Sequence, residues 1–139
     1  MNITAKFGFN DDCKEIRIKV FVVEQGFKEE FDQTDASAEH VVLYDGETPA
    51  ATGRLYPKGD DGEYAIGRVA VVKEYRGKQL GSMVIKELEE KARELGTKSI
   101  VISSQIQALG FYRSLGYEPF GEEYLDEHCP HCAMRKQLT

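Results

Sequence analysis

Apolar positions follow two rhythms along this chain. Between Gln79 and Leu95 they recur every three or four residues (Leu80, Met83, Val84, Leu88, Ala92, Leu95), which predicts a long amphipathic helix ended by Gly96, a residue suited to a left-handed cap. Just upstream, Val69 to Val72 is a continuous apolar run that reads as a buried strand, joined to the helix by a short polar connection. A three- to four-residue rhythm also places Cys13, Ile16, Val20 and Phe21 on one face of a first helix, capped by Asp11 and Asp12 and running to about Glu24 before Gly26. Val41 to Tyr44 and Ala50 to Tyr56 flank an Asp45-Gly46 turn, and Tyr64 to Val72 follows a second turn at Pro57 to Gly62, so three antiparallel strands are expected.

Ser99 to Ser103 is a short β-branched strand, and strand, helix, strand implies a right-handed parallel crossover. Ala108 to Leu115 fits another helix, ended by Gly116, and Tyr117 to Gln137 reads as two further strands around a turn near His128 to Pro130. Phe27 to Glu39 is polar and acidic without a period and is expected to be a loop, with or without a short helix in it. The fold class is α/β, a mostly antiparallel mixed sheet with one parallel strand pair, covered by helices. Ligands of such sheets sit at the carboxyl ends of the parallel strands, here after Val72 and Ser103.

With 139 residues the chain fits a single domain spanning 1–139. Its 41% hydrophobic and 30% charged residues are ordinary for a globular protein, and no apolar run approaches the roughly 20 residues of a membrane span. Met1 to Lys6 lacks a signal peptide's apolar centre, so a cytoplasmic location is expected, with no membrane partner. A net charge of −6 argues against a nucleic-acid binder, and three cysteines do not make a disulfide framework.

The candidate chemistry lies where the strand meets the long helix. The first N–H groups of a helix have no intrahelical partners, and its dipole adds about half a positive charge, so an anion can dock there. Gly77 and Gly81 let it come close. A phosphate-binding NTPase is excluded because no lysine followed by serine or threonine stands in place to hold Mg²⁺.

Arg76-Gly77-Lys78-Gln79-Leu80-Gly81, followed by Gln105-Ile106-Gln107-Ala108-Leu109-Gly110-Phe111-Tyr112-Arg113-Ser114-Leu115-Gly116-Tyr117, resembles the paired motifs of the GNAT superfamily of acyl-CoA N-acyltransferases. The family pattern Gln/Arg-x-x-Gly-x-Gly/Ala is met at Arg76 and Gly81, with Gln79 in the place of its first glycine. The second, Asn-x-x-Ala-x-x-Phe-Tyr-x-x-x-Gly-Phe/Tyr, is met at Ala108, Phe111, Tyr112, Gly116 and Tyr117, with Gln105 replacing asparagine. Val20-Phe21-Val22-Val23-Glu24-Gln25 and His40 resemble a small bacterial branch of the superfamily.

The resemblance implies a GNAT fold, with helices on both faces of the sheet, and transfer of an acetyl group from acetyl-CoA to a small-molecule or peptide amine by direct attack. It implies that Arg76, Gly77, Lys78, Gln79, Leu80, Gly81 and Ser82 hold the pyrophosphate, that Val69, Ala70 and Val71 pair with the pantetheine arm and supply an oxyanion N–H, and that Gln105 and Tyr112 lie beside the cofactor. Gln79 is expected to take ordinary right-handed helical geometry. Tyr112 is the expected general acid. An alternative is a catalytically weak acyl-CoA sensor or docking module.

The base is open among Glu24, Glu29, Glu30, Asp32, Asp35, His40 and His131, with Glu24 named as a possible base and the acidic stretch as a wall attracting a cationic amine. His128-Cys129-Pro130-His131-Cys132 resembles half of a metal site, but the second half is missing, so no metal is expected, and adventitious zinc or oxidation of Cys129 and Cys132 is favoured over a designed site. A monomer or homodimer is compatible with these features.

Overall fold

The computed structural model describes residues 1–28, 31–59 and 61–138. Strands β1 (Ile3–Phe7), β2 (Glu39–Asp45), β3 (Thr48–Pro57), β4 (Glu63–Val71), β5 (Ser99–Gln105), β6 (Glu118–Asp126) and β7 (Cys129–Gln137) form one sheet of order β1-β2-β3-β4-β5-β7-β6. Every neighbouring pair is antiparallel except β4 and β5. That parallel pair flanks α2 (Leu80–Glu94), and α3 (Leu109–Ser114) follows β5. The mixed sheet is the one the periodicity implies. β1 was not anticipated: it is a five-residue edge strand with exposed side chains from Thr4 onward, so no alternation marks it.

The first helix differs from its expectation in two ways. Its N-cap is Asn10, whose side chain accepts the Cys13 N–H at 2.9 Å, while Asp11 and Asp12 occupy the first turn, where negative charge suits the dipole. It is also not one α-helix. α1 covers Asp11–Arg17, and Ile18–Glu24 widens into a π-helix in which Gln25 N–H reaches back five residues to Val20 C=O at 3.1 Å. Four β-branched residues there, Ile18, Val20, Val22 and Val23, crowd the tighter turn.

Two apolar clusters hold these layers. On one face Val84, Ile85, Leu88 and Ala92 of α2 pack on Val41, Leu43, Ala51, Leu55, Ile66, Ile100, Ile102 and Met134. Gly53 allows this approach: a Cβ there would lie 2.6 Å from Val84 Cγ1. On the other face Cys13, Ile16 and Val20 cover Val42, Ala70 and Val72. α1 and its extension cover only part of this second face, leaving β5, β7 and the start of β4 bare.

Candidate active site

The central feature is a split between the two parallel strands. β4 and β5 are in register from Glu63↔Ser99 to Ile66↔Ile102, and beyond that point they part. The cause is a bulge: the β3–β4 register shifts between Thr52 and Arg54, and Arg68 stands at φ 51°, a left-handed conformation that bends the strand. Val72 N–H donates to Ala50 C=O on β3 at 2.9 Å, so the alternation of strand edges turns Ala70 toward β3 and the backbone groups of Val69 and Val71 into the split. Arg76 Nε accordingly reaches Val71 C=O from that side, at 3.1 Å.

The split opens into a cleft of about 600 Å³ on the bare face, lined among others by Phe21, Gln25, Val69, Gln105, Tyr112 and His131. Tyr112 is buried, and burial pushes its phenol up to about 12. Among the described residues its hydroxyl has no hydrogen-bond partner, which leaves it available to a ligand. His131 is also buried, and its Nδ1 lies 2.9 Å from Cys129 C=O. A nitrogen facing a carbonyl must carry the proton, so in the neutral ring Nε2 keeps its lone pair. His131 stands opposite Gln105 on β5 and Tyr124 on β6, and stacks on the Tyr124 ring at 6.1 Å.

Beside the split, α2 begins. Its first helical hydrogen bond runs from Met83 N–H to Gln79 C=O at 3.2 Å, so the N–H groups of Leu80, Gly81 and Ser82 precede the ladder. Gly77 has φ 77° with no atom within 4 Å of a Cβ position, while a Cβ at Gly81 would lie 3.3 Å from the Phe111 ring. The expectation for Gln79 is corrected. It sits at φ 67°, ψ 19°, left-handed geometry outside the helix, which explains why glycine is preferred there and costs a side chain about 1–2 kcal/mol. Lys78 Nζ lies 5.9 Å from the centre of the Tyr75 ring.

The acidic candidates are brought elsewhere. Glu24 ends the π-helix and is held by both terminal nitrogens of Arg76, at 2.7 and 2.9 Å, and these hydrogen bonds keep its carboxyl below the usual range. Asp35 is buried between Arg17 and Arg54, each at 2.8 Å; burial raises its pKa, but the hydrogen bonds of Arg17, the Asp32 backbone and Arg54 outweigh that and hold it well below the carboxylate range. Asp32 joins Arg54 at 2.7 Å and Arg68 at 3.4 Å. These carboxylates are tied into arginine pairs and do not form an open acidic wall. His40 is buried, stacked on Phe9 with ring centres 4.4 Å apart, and donates to Asp35 C=O at 3.0 Å; burial lowers its pKa. Glu29 and Glu30 lie outside the described residues.

Cys129 and Cys132, three apart on β7, point to opposite faces, Cys132 with the core residue Met134 and Cys129 with His131, which rules out a bond between them without moving the strand. No group of three metal-ligating side chains occurs among the described residues. Gln105 Oε1 accepts from the Gln107 side-chain amide in the helical turn that follows β5. The Gln105 amide donates to Gln25 Oε1 at 2.8 Å, across the mouth of the split. The sequence reading missed Phe21, Gln25 and Arg54 as cleft-lining residues. For β7 the signal was present: alternation puts His131, Ala133 and Arg135 on one face. For Phe21 and Gln25 there was none, since only the π-helix aims them.

A family model described as an acetyltransferase (GNAT) domain matches residues 9–138, and the chain belongs to this family. It is 38% identical over 128 residues to a Bacillus subtilis protein named as the uncharacterized N-acetyltransferase YjcF, covering 90% of each chain. The crystal structure of an acyl-CoA N-acyltransferase from Pseudomonas aeruginosa superposes with a TM-score of 0.84 at 26% identity, over 97% of this chain and 98% of that one. A GNAT acetyltransferase from Elizabethkingia anophelis with acetyl-CoA bound shares the fold, with a TM-score of 0.79 and 19% identity over 99% of each chain. No helix among the described residues is long and apolar enough to cross a membrane.

Proposed function

We propose that the whole chain works as one N-acetyltransferase domain that moves an acetyl group from acetyl-CoA to a primary amine by direct attack, without a covalent acyl-enzyme. The observation that carries this reading is the split after Ile66 and Ile102, where Val69 on the free edge of β4 and Tyr112 line one cleft and the same strand leads on to the exposed N-terminus of α2. The residues fit coenzyme A. The N–H groups of Leu80, Gly81 and Ser82, with the open approach at Gly77, suit a pyrophosphate, and Val69 and Val71 offer the strand edge a pantetheine arm requires. Bound there, acetyl-CoA supplies an activated thioester.

The chain's own residues then divide the work. With acetyl-CoA bound, a backbone N–H of Val69 or Val71 would serve as the donor to the thioester oxygen, an interaction worth about 3–4 kcal/mol in other acyl transfers. A lysine-like amine has a pKa near 10.4, so presenting it neutral at pH 7 costs about 4–5 kcal/mol. His131, whose Nδ1 faces the Cys129 carbonyl and whose Nε2 meets no donor among the described residues, is the cleft-lining group suited to take that proton. Glu24, bound to Arg76, is a poor acceptor of it. Tyr112 at about 12 is a weaker acid than a thiol near 8.5. Full proton transfer would be uphill by about 5 kcal/mol, so its role is a hydrogen bond to the leaving sulfur.

Thiol release from acetyl-CoA, measured against a panel of small amines and lysine peptides, tests the reading. Tyr112→Phe is expected to lower kcat about 10- to 100-fold while leaving the KM for acetyl-CoA within twofold. Binding of acetyl-CoA without transfer to any amine, combined with no effect of Tyr112→Phe, would replace the enzyme by the acyl-CoA sensor.

A further inference from the structure

Two consecutive residues at the end of the π-helix, Glu24 and Gln25, each grip one arm of the split. Glu24 holds Arg76, just beyond β4, and Gln25 holds Gln105 at the end of β5. Arg76 is therefore engaged at all three of its nitrogens: the two terminal ones face the Glu24 carboxylate, and its Nε caps the Val71 carbonyl. Both engagements fall on groups that the coenzyme A reading assigns to the cofactor. The cation of the cradle is neutralised by an internal anion, and a backbone acceptor on the free edge of β4 is occupied by an internal donor. The pair is partly open to solvent, with Arg76 44% and Glu24 33% exposed, so it adds little to stability and can exchange partners. The same π-helix and its C-cap carry Phe21 and Gln25 into the lining of the cleft.

We propose that the Glu24–Arg76 pair is a latch: Glu24 competes with the coenzyme A pyrophosphate for Arg76, and cofactor binding loosens the end of the π-helix beside the cleft. This rests on the coenzyme A reading above.

The test is calorimetric titration of coenzyme A into the full chain at low and at physiological ionic strength. Glu24→Gln and Glu24→Ala should each bind about three- to tenfold more tightly than wild type, with the gain reduced by salt. Neither change should affect affinity in an Arg76→Gln background. Hydrogen exchange of amides 18–25 should quicken on adding coenzyme A to wild type and be fast beforehand in Glu24→Gln. Equal or weaker binding by both Glu24 variants overturns the latch while leaving the cofactor reading intact. Failure of wild type to bind coenzyme A at all overturns the cofactor reading and the latch with it.

Discussion

The two halves of β4 share one strand and behave differently. From Glu63 to Ile66 it has β3 on one side and β5 on the other. From Gly67 to Val71 it keeps β3 and loses β5, because the left-handed Arg68 bends it away. In the first half every backbone group is spent on the sheet. In the second, one edge is left to whatever enters the split. The same contrast runs across the second sheet face, where the part under α1 holds a buried cluster of Arg17, Asp35 and Arg54, and the bare part holds His131 and the Arg135–Glu63 pair at 2.8 Å. Closed regions set stability, and open ones are free to do chemistry.

The largest effect should come from the closed side. Asp35→Asn removes the anion that Arg17 and Arg54 share, with Asp32 still on Arg54, and should destabilise the fold by about 3 kcal/mol in urea titrations at pH 7. Because the folded Asp35 pKa lies below its unfolded value near 3.9, the wild-type advantage is fully present above that value and fades only as pH falls through the folded pKa. A stability difference that disappears already at pH 5 to 6 would show that another group carries it. On the open side, His131→Ala should cut kcat by about 10²–10⁴-fold, with the urea midpoint changed little compared with Asp35→Asn. If instead it unfolds the protein and spares kcat, the division between closed and open regions fails at this residue. The smallest effect is a gain: Gln79→Gly relieves the left-handed strain and should raise stability by about 1 kcal/mol, or roughly 3 °C in Tm by scanning calorimetry.

Much of the fold was legible because the periodicities are strong. Leu80 to Ala92 could only be an amphipathic helix, and the runs at Val41, Ala50 and Tyr64 fell between clear turns. β1 was invisible because an edge strand with exposed side chains has no reason to alternate. The π-helix was invisible because its rhythm differs from that of an α-helix by less than these seven residues can register. In the site, the cradle and Tyr112 were marked by motifs, whereas the partners of Glu24, Asp32 and Asp35 were not: Arg76, Arg54 and Arg17 lie 52, 22 and 18 residues away.

By itself, then, the sequence determined the sheet-and-helix order, the family and the strand-to-helix turn at Arg76 to Ser82, because those depend on local periodicity, glycine placement and short motifs. Only the tertiary structure decided that β4 splits from β5 after Ile66, that Gln79 is left-handed, and that Glu24 faces Arg76 while His131 faces the cleft. A bulge angle and a long-range ion pair depend on which strands and helices meet, and no local pattern encodes that meeting.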